Sequence, residues 1–175
     1  SRYYLQQRRS SNSYSNKMTS ITIDGIDFQP VRKHQITIPN YYVSKCSKIY
    51  NTKTKKYVTP YDVYREKKSL GLPPKCKEFS VITEGQPFWD KGCKYKSKKG
   101  KGTRIEFKIK LHQAVLDAWN PYESYLNTLS KIELISLALE NVMIDHINDD
   151  PLDNRLENLQ YTTPLKNSNH RKTWK

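Results

Sequence analysis

No stretch of this sequence approaches the roughly 20 consecutive apolar residues that a membrane-spanning helix requires, and hydrophobic residues make up only 35% of it. A membrane partner is therefore not expected. The core must be modest, with much of the chain running over a surface. Cysteine is scarce as well: Cys46, Cys76 and Cys93 are odd in number, far apart, and form no Cys-x-x-Cys pair of the kind that marks a zinc knuckle or a redox motif. They read as free thiols in a reducing compartment. Acids are in short supply, with 17 Asp plus Glu against 31 Lys plus Arg, which leaves a net charge of +14. Such an excess favours a polyanion, and nucleic acid is the natural one, because binding its phosphates releases condensed counterions without any specific contact.

The length of 175 residues suits one ordinary domain or a small module with an extension. Residues 1–20 contain Arg2, Arg8, Arg9 and Lys17 among serines and asparagines, with no acid before Asp24. They read as a basic extension, either the remnant beside an organelle-targeting segment or an arm that orders on RNA or DNA. Residues 21–110 read as a β-rich accessory region. Ile21, Ile23 and Ile26 around Asp24 and Gly25 predict a hairpin. Residues 36–44, 48–51, 56–58, 78–84 and 104–111 are β-branched or aromatic enough for strands, with Pro39 confined to an edge or boundary. Residues 91–103, rich in Lys and Gly, read as a mobile basic loop, either a solvated hairpin tip or a phosphate-contacting segment.

Residues 111–175 form the third part. Val115, Leu116, Ala118 and Trp119 mark a helix over 112–119 that Pro121 should stop. Ser130 with Glu133 makes a capping box for a second helix, whose Ile132, Leu134, Ile135, Leu137, Ala138 and Leu139 should be largely buried. Residues 142–147 are β-prone, 148–154 are turn-rich, and 159–162 can return as a second strand. Thr163 is a good N-cap with Pro164 at the first helical position, so Asn167 falls about one turn into a closing helix. Asp145 and Asn167 can then face each other across the strand–helix angle. Their carboxylate and amide oxygens suit Mg²⁺ or Mn²⁺ better than Zn²⁺. His146, next along the strand, stays available to take a proton from water.

The run Asp145-His-Ile-Asn-x-Asp-x-x-Asp-Asn-Arg-x-x-Asn-Leu159, followed by Thr162, Thr163, Pro164 and Asn167, is similar to the HNH endonuclease family, especially its phage and intron-homing members. His112-Gln-Ala-Val-Leu-Asp-Ala-Trp119 resembles a segment that often lies upstream of this motif. Residues 41–51 faintly resemble a small β module found ahead of such nucleases, with Cys46 and Ser47 standing where a turn glycine is expected. The resemblance implies an α+β architecture: a small β-rich N-terminal part, then a ββα-metal core with two preceding helices. It implies that Asp145 and Asn167 bind a single divalent cation, Mg²⁺ or Mn²⁺, that His146 is the general base, and that Asn158 braces the loop. The reaction implied is phosphodiester hydrolysis leaving a 5′-phosphate.

Arg155, Lys166, Arg171 and Lys172 lie close enough in sequence to clamp flanking phosphates, and Lys96, Lys98, Lys99 and Lys101 offer a second set in the basic stretch. His34, His112 and His170 read as structural. The leading function is an endonuclease on DNA, with RNA as the other possible partner. The alternative is a nuclease-derived RNA-binding subunit of a large ribonucleoprotein, for example a mitochondrial ribosome. The start without Met, the basic arm, and the end at Lys175 with no separate DNA-reading segment motivate it. The expected location is intracellular, in a phage host's cytoplasm or an organelle. The sequence does not set the oligomeric state.

Overall fold

Asp24 and Gly25 take φ of 52° and 74°, the left-handed pair that a tight two-residue hairpin needs. The chain accordingly doubles back from β1 (Ile21–Ile23) to β2 (Ile26–Lys33). The computed structural model describes residues 19–33, 36–65, 71–84, 94–98, 101–134, 142–163 and 166. The basic extension therefore lies outside the described residues apart from 19 and 20. Antiparallel pairing adds β3 (Ile36–Ser44), β4 (Ile49–Asn51) and β5 (Lys56–Val58) to give a sheet of order β1-β2-β3-β4-β5.

Proline positions explain the irregularities of this sheet. β2 continues past the expected hairpin, and its register against β3 shifts between Pro30 and Arg32, where proline has no N–H to give. Pro39 lies in the part of β3 that β4 does not reach, since β4 pairs only with Tyr41, Tyr42 and Val43. At the β3–β4 turn Ser47 adopts φ of 65°, the conformation for which glycine is the usual residue. Local bonds hold it there. The Ser44 N–H donates to the Lys48 carbonyl at 3.0 Å, the Ser47 N–H to the Ser44 carbonyl at 3.1 Å, and the Lys48 N–H to Ser44 Oγ at 2.9 Å.

A second sheet has the order β6-β7-β9-β8, built from β6 (Tyr61–Val63), β7 (Cys76–Glu84), β8 (Lys94–Lys98) and β9 (Lys101–Lys110). Residues 94–98 and 101–103 are paired strands rather than a mobile loop, which agrees with the hairpin alternative for residues 91–103. Lys94 pairs with Glu106 and Tyr95 with Ile105, so most of the stretch is a hairpin. Backbone pairing to β9, whose Ile105, Phe107 and Ile109 are buried, outweighs the poor strand preference of lysine. β6 was not expected at all.

Helix α1 (Leu111–Trp119) follows β9 directly and buries Leu111, Ala114, Val115 and Leu116. Pro121 stops it and also opens α2 (Tyr122–Leu126), because a fixed φ and missing N–H suit a helix start as well as they end a helix. The capping box forms: the Ser130 N–H donates to Glu133 Oε2 at 2.8 Å and the Glu133 N–H to Ser130 Oγ at 3.3 Å. Burial of the helix it begins does not follow within the described residues, where Ile132 is 76% exposed and Leu134 39%. The rest of that expected helix lies outside them. β10 (Met143–His146) and β11 (Leu159–Thr162) pair antiparallel, joined by a polar loop and a single 3₁₀ turn, Leu156–Asn158. The fold is thus a mixed α+β one, rich in strands. Among the described residues no helix is long and apolar enough to cross a membrane.

One hydrophobic cluster joins these parts. Val31, Ile38, Val43 and Ile49 of the first sheet, Phe79, Val81, Ile105, Phe107 and Ile109 of the second, the buried side of α1 and Leu159 of β11 belong to it. Two polar ties reinforce the junction: Trp119 Nε1 donates to the Val43 carbonyl at 3.0 Å, and the Leu156 N–H to the Lys45 carbonyl at 2.9 Å. Leu116 is 1% exposed within this cluster. Leu116→Ala should therefore cost about 2–5 kcal/mol, a large part of the roughly 5–15 kcal/mol of a typical domain. Urea unfolding followed by circular dichroism checks it, and a loss below about 1 kcal/mol contradicts a core shared through this helix.

Candidate active site

β10 ends at His146, and the chain then runs through a loop almost devoid of apolar anchors. Side-chain amides and carboxylates organise it instead. Asn148 Oδ1 accepts from the Asp150 N–H at 2.9 Å, and Asp150 Oδ1 from the Leu152 N–H at 2.9 Å. Asp149 takes φ of 60° while its N–H bonds the His146 carbonyl at 2.9 Å. Asn158, 6% exposed, ties the loop ends together. It accepts from the Asn148 N–H at 2.9 Å and donates to Asn148 Oδ1 and the Asp153 carbonyl, both at 2.8 Å. These bonds are what a bracing asparagine would make.

His146 is fixed by a residue the sequence reading did not single out. Asn154 is 2% exposed, and its Nδ2 donates to the Leu152 carbonyl at 3.1 Å. That fixes the amide orientation and turns Oδ1 toward His146 Nε2, 3.0 Å away. An oxygen there can only accept, so the neutral imidazole carries its proton on Nε2 and leaves Nδ1 as the basic nitrogen. The signal was present in the asparagine of the Asp-Asn-Arg run, but periodicity cannot say which side chain it meets.

His112, read as structural, stands edge-on to His146 with ring centroids 5.3 Å apart. Its Nδ1 is buried with no hydrogen-bond partner among the described residues. Burial first, then His146 and Lys110, push its pKa down from the usual 6.5 to about 4, so it is neutral at pH 7.

Asp145 is 7% exposed, and its Oδ2 accepts from Nε2 of its cross-strand partner Gln160 at 3.2 Å. A carboxylate so placed fits a hard dication such as Mg²⁺ or Mn²⁺. Asn167, the expected second donor, lies outside the described residues, as do Arg171, Lys172, Lys99 and His170. Among the described residues no three His, Cys, Asp or Glu side chains group as they would around zinc. Cys46 and Cys76 are free thiols.

The expected phosphate-binding cations are dispersed. Lys96 and Lys98 are in β8 and Lys101 begins β9. Arg155 forks onto Asp153 through Nε and Nη2, each at 2.8 Å, and reaches Glu157 through Nη1 at 2.8 Å. The guanidinium holds the Asp153 carboxyl down to about 2. Lys166 is exposed; its N–H bonds the Thr163 hydroxyl at 3.3 Å, as expected of an N-cap, and its ammonium lies 4.0 Å from Glu133.

Asp145 and His146 line a cleft of about 610 Å³. Its other wall comes from the β6–β7 connection and the start of α1, including Arg65, Lys75, Lys110 and His112. None of these four was expected to meet the motif, because they are spread through the sequence singly.

Residues 139–169 match the family model described as HNH endonuclease. Over those residues the chain carries an HNH endonuclease motif. The match spans Asp145, His146, Asn154, Asn158 and Asn167. Among solved structures the chain is similar to one described as "DNA binding and cleavage by the HNH homing endonuclease I-HmuI", with 15% identity and a TM-score of 0.46. The likeness covers 89% of this chain and 59% of that one. A comparison with curated proteins returns no match.

Two outcomes follow from this geometry. In metal-free protein, ¹⁵N shifts should report neutral His146 as the Nε2–H tautomer, and Asn154→Ala should move them toward the tautomer average of a solvated histidine. Unchanged shifts would show that Asn154 does not set the tautomer. His112 ties stability to pH. Its folded pKa of about 4 lies below the usual 6.5, so between those values the unfolded chain binds more protons. Stability is full above pH 6.5, falls with acidification toward pH 4, and levels off below. Up to about 3 kcal/mol is at stake. His112→Gln should flatten that part of the stability curve measured in urea with chelator.

Proposed function

We propose that this chain is a metal-dependent HNH endonuclease that hydrolyses phosphodiester bonds of DNA. The observation that carries the reading is the Asp145–His146 pair at the edge of a cleft. The histidine there is turned so that Nδ1 is basic, and the loop behind it is braced by Asn158. In this reading His146 Nδ1 takes the proton of the attacking water. Asn154 keeps Nε2 occupied, so the second nitrogen cannot compete for the role. His112, neutral beside it, adds no positive charge that would hinder the imidazole from becoming protonated. Asp145, with Asn167 as second oxygen donor, would hold a single Mg²⁺ or Mn²⁺ ion. Bound there, the ion would supply countercharge to the phosphate and the departing 3′-oxygen. The product would carry a 5′-phosphate. The net charge of +14 supports a polyanionic substrate.

The test is nicking of supercoiled plasmid with Mg²⁺ or Mn²⁺, comparing the intact protein, His146→Ala, and the intact protein with chelator. Loss of the base should slow cleavage by about 10²–10⁴-fold while DNA binding in chelator stays within about twofold, since no phosphate charge is removed. Cleavage by His146→Ala at the parent rate excludes His146 as the base. Absence of cleavage under either metal, with tight RNA binding, moves the assignment to an RNA-binding subunit.

A further inference from the structure

The HNH motif supplies one wall of the cleft, and the opposite wall has a charge pattern that the motif does not account for. Lys75 lies just before β7, Lys110 at the junction of β9 with α1, and Arg65 after β6, and all three are exposed. Lys75 and Lys110 both act electrostatically on the thiol of Cys76, and Lys110 also on His112. Both lysines therefore lie near Cys76, which lines the cleft together with His146. Among the described residues, acids close to them are few. Glu78 is the cross-strand neighbour of Lys110, and the cleft itself holds Asp145 and Asp149. None of the three cations has an ion-pair partner among the described residues. Other cations differ: Lys77 is bonded to Asp62 at 2.8 Å, and Arg155 is engaged by Asp153 and Glu157. Ahead of Lys75 the lining is apolar over the described residues Leu72, Pro73 and Pro74, with Leu72 50% exposed before two prolines that stiffen it.

Cations alternating with an apolar rung suit a sugar-phosphate strand, whose charges recur along a less polar backbone. We infer that Lys75, Lys110 and Arg65 bind the phosphates of one DNA strand on either side of the bond offered to His146, with Leu72 against the intervening sugar. This rests on the nuclease reading for the position of that bond. Accessory strands, rather than the motif alone, then seat the substrate.

The experiment is equilibrium binding of the intact protein to a labelled DNA duplex in EDTA across a salt series, with a parallel nicking assay in Mg²⁺. Each of Lys75→Ala and Lys110→Ala should lower the slope of log affinity against log salt by about 1 and weaken binding about tenfold near 0.1 M salt. In the nicking assay each should raise KM and leave kcat within about threefold, because no group at the reacting atoms is lost. Lys77→Ala, whose ammonium is held by Asp62, serves as the control and should bind like the parent. Parent-like affinity and slope in both cleft variants, with circular dichroism unchanged, overturn the inference even if nicking persists. Reduced slopes without nicking in any protein uphold the binding surface and refute the nuclease reading. Equal slopes on RNA with at least tenfold tighter binding than DNA overturn the choice of DNA.

Discussion

Helix α1 touches both sheets, Leu159 of β11 and the ring of His146, and it does so with only nine residues. Its buried side is made of Leu111, Ala114, Val115 and Leu116, all close to fully removed from water. One small side chain, Ala114, stands among three branched ones, which lets two β-surfaces pack closely on the same short helix. The helix also begins without a break at the end of β9. The direction of that strand therefore fixes where His112 points, and His112 in turn closes one side of the imidazole. The placement of the candidate base is thus decided partly in the core, beside the bond that Asn154 of the motif loop makes to it.

Much of this was legible in the sequence because its signals were local. Asp24-Gly25, the Ser130–Glu133 capping box, Thr163 as an N-cap and the β-branched runs of β3, β7 and β9 each encode their structure within a few residues. The failures share a different cause. β8 is disguised by lysine, since a strand on a sheet can be specified by its partner rather than by itself. Ile132 and Leu134 form a convincing apolar face, yet nothing in a sequence says whether another element arrives to cover it. Ser47 holds a glycine's conformation because three bonds around Ser44 and Lys48 over-determine the turn.

The candidate site divides in the same way. Asp145, His146 and Asn158 stood out as candidates because residue type and spacing coincide in one short run. Asn154 stood in that run without an identifiable role, for its importance lies in a bond that only the folded loop creates. Lys75, Lys110 and Arg65 were invisible among 31 basic residues, since their distinction is the company they keep across the cleft. A charged residue becomes informative only when the structure shows which of its fellows are already neutralised.

The brace around His146 is built from Asn148, Asn154 and Asn158, whose amides carry dipoles and no net charge. The protein around them is strongly basic and, in the proposed role, must admit a polyanion within a few ångströms of that brace. A scaffold of ion pairs would be pulled on by every arriving phosphate and loosened by every change of salt. Amides hydrogen-bonded to backbone feel such fields only weakly, so the loop can hold its shape as the electrostatic environment of the cleft changes. In the language of electron and proton transfer, amide supports next to the imidazole keep its reorganisation energy low, while the loop's charges, Asp150 and the Asp153–Arg155 pair, are themselves held by hydrogen bonds.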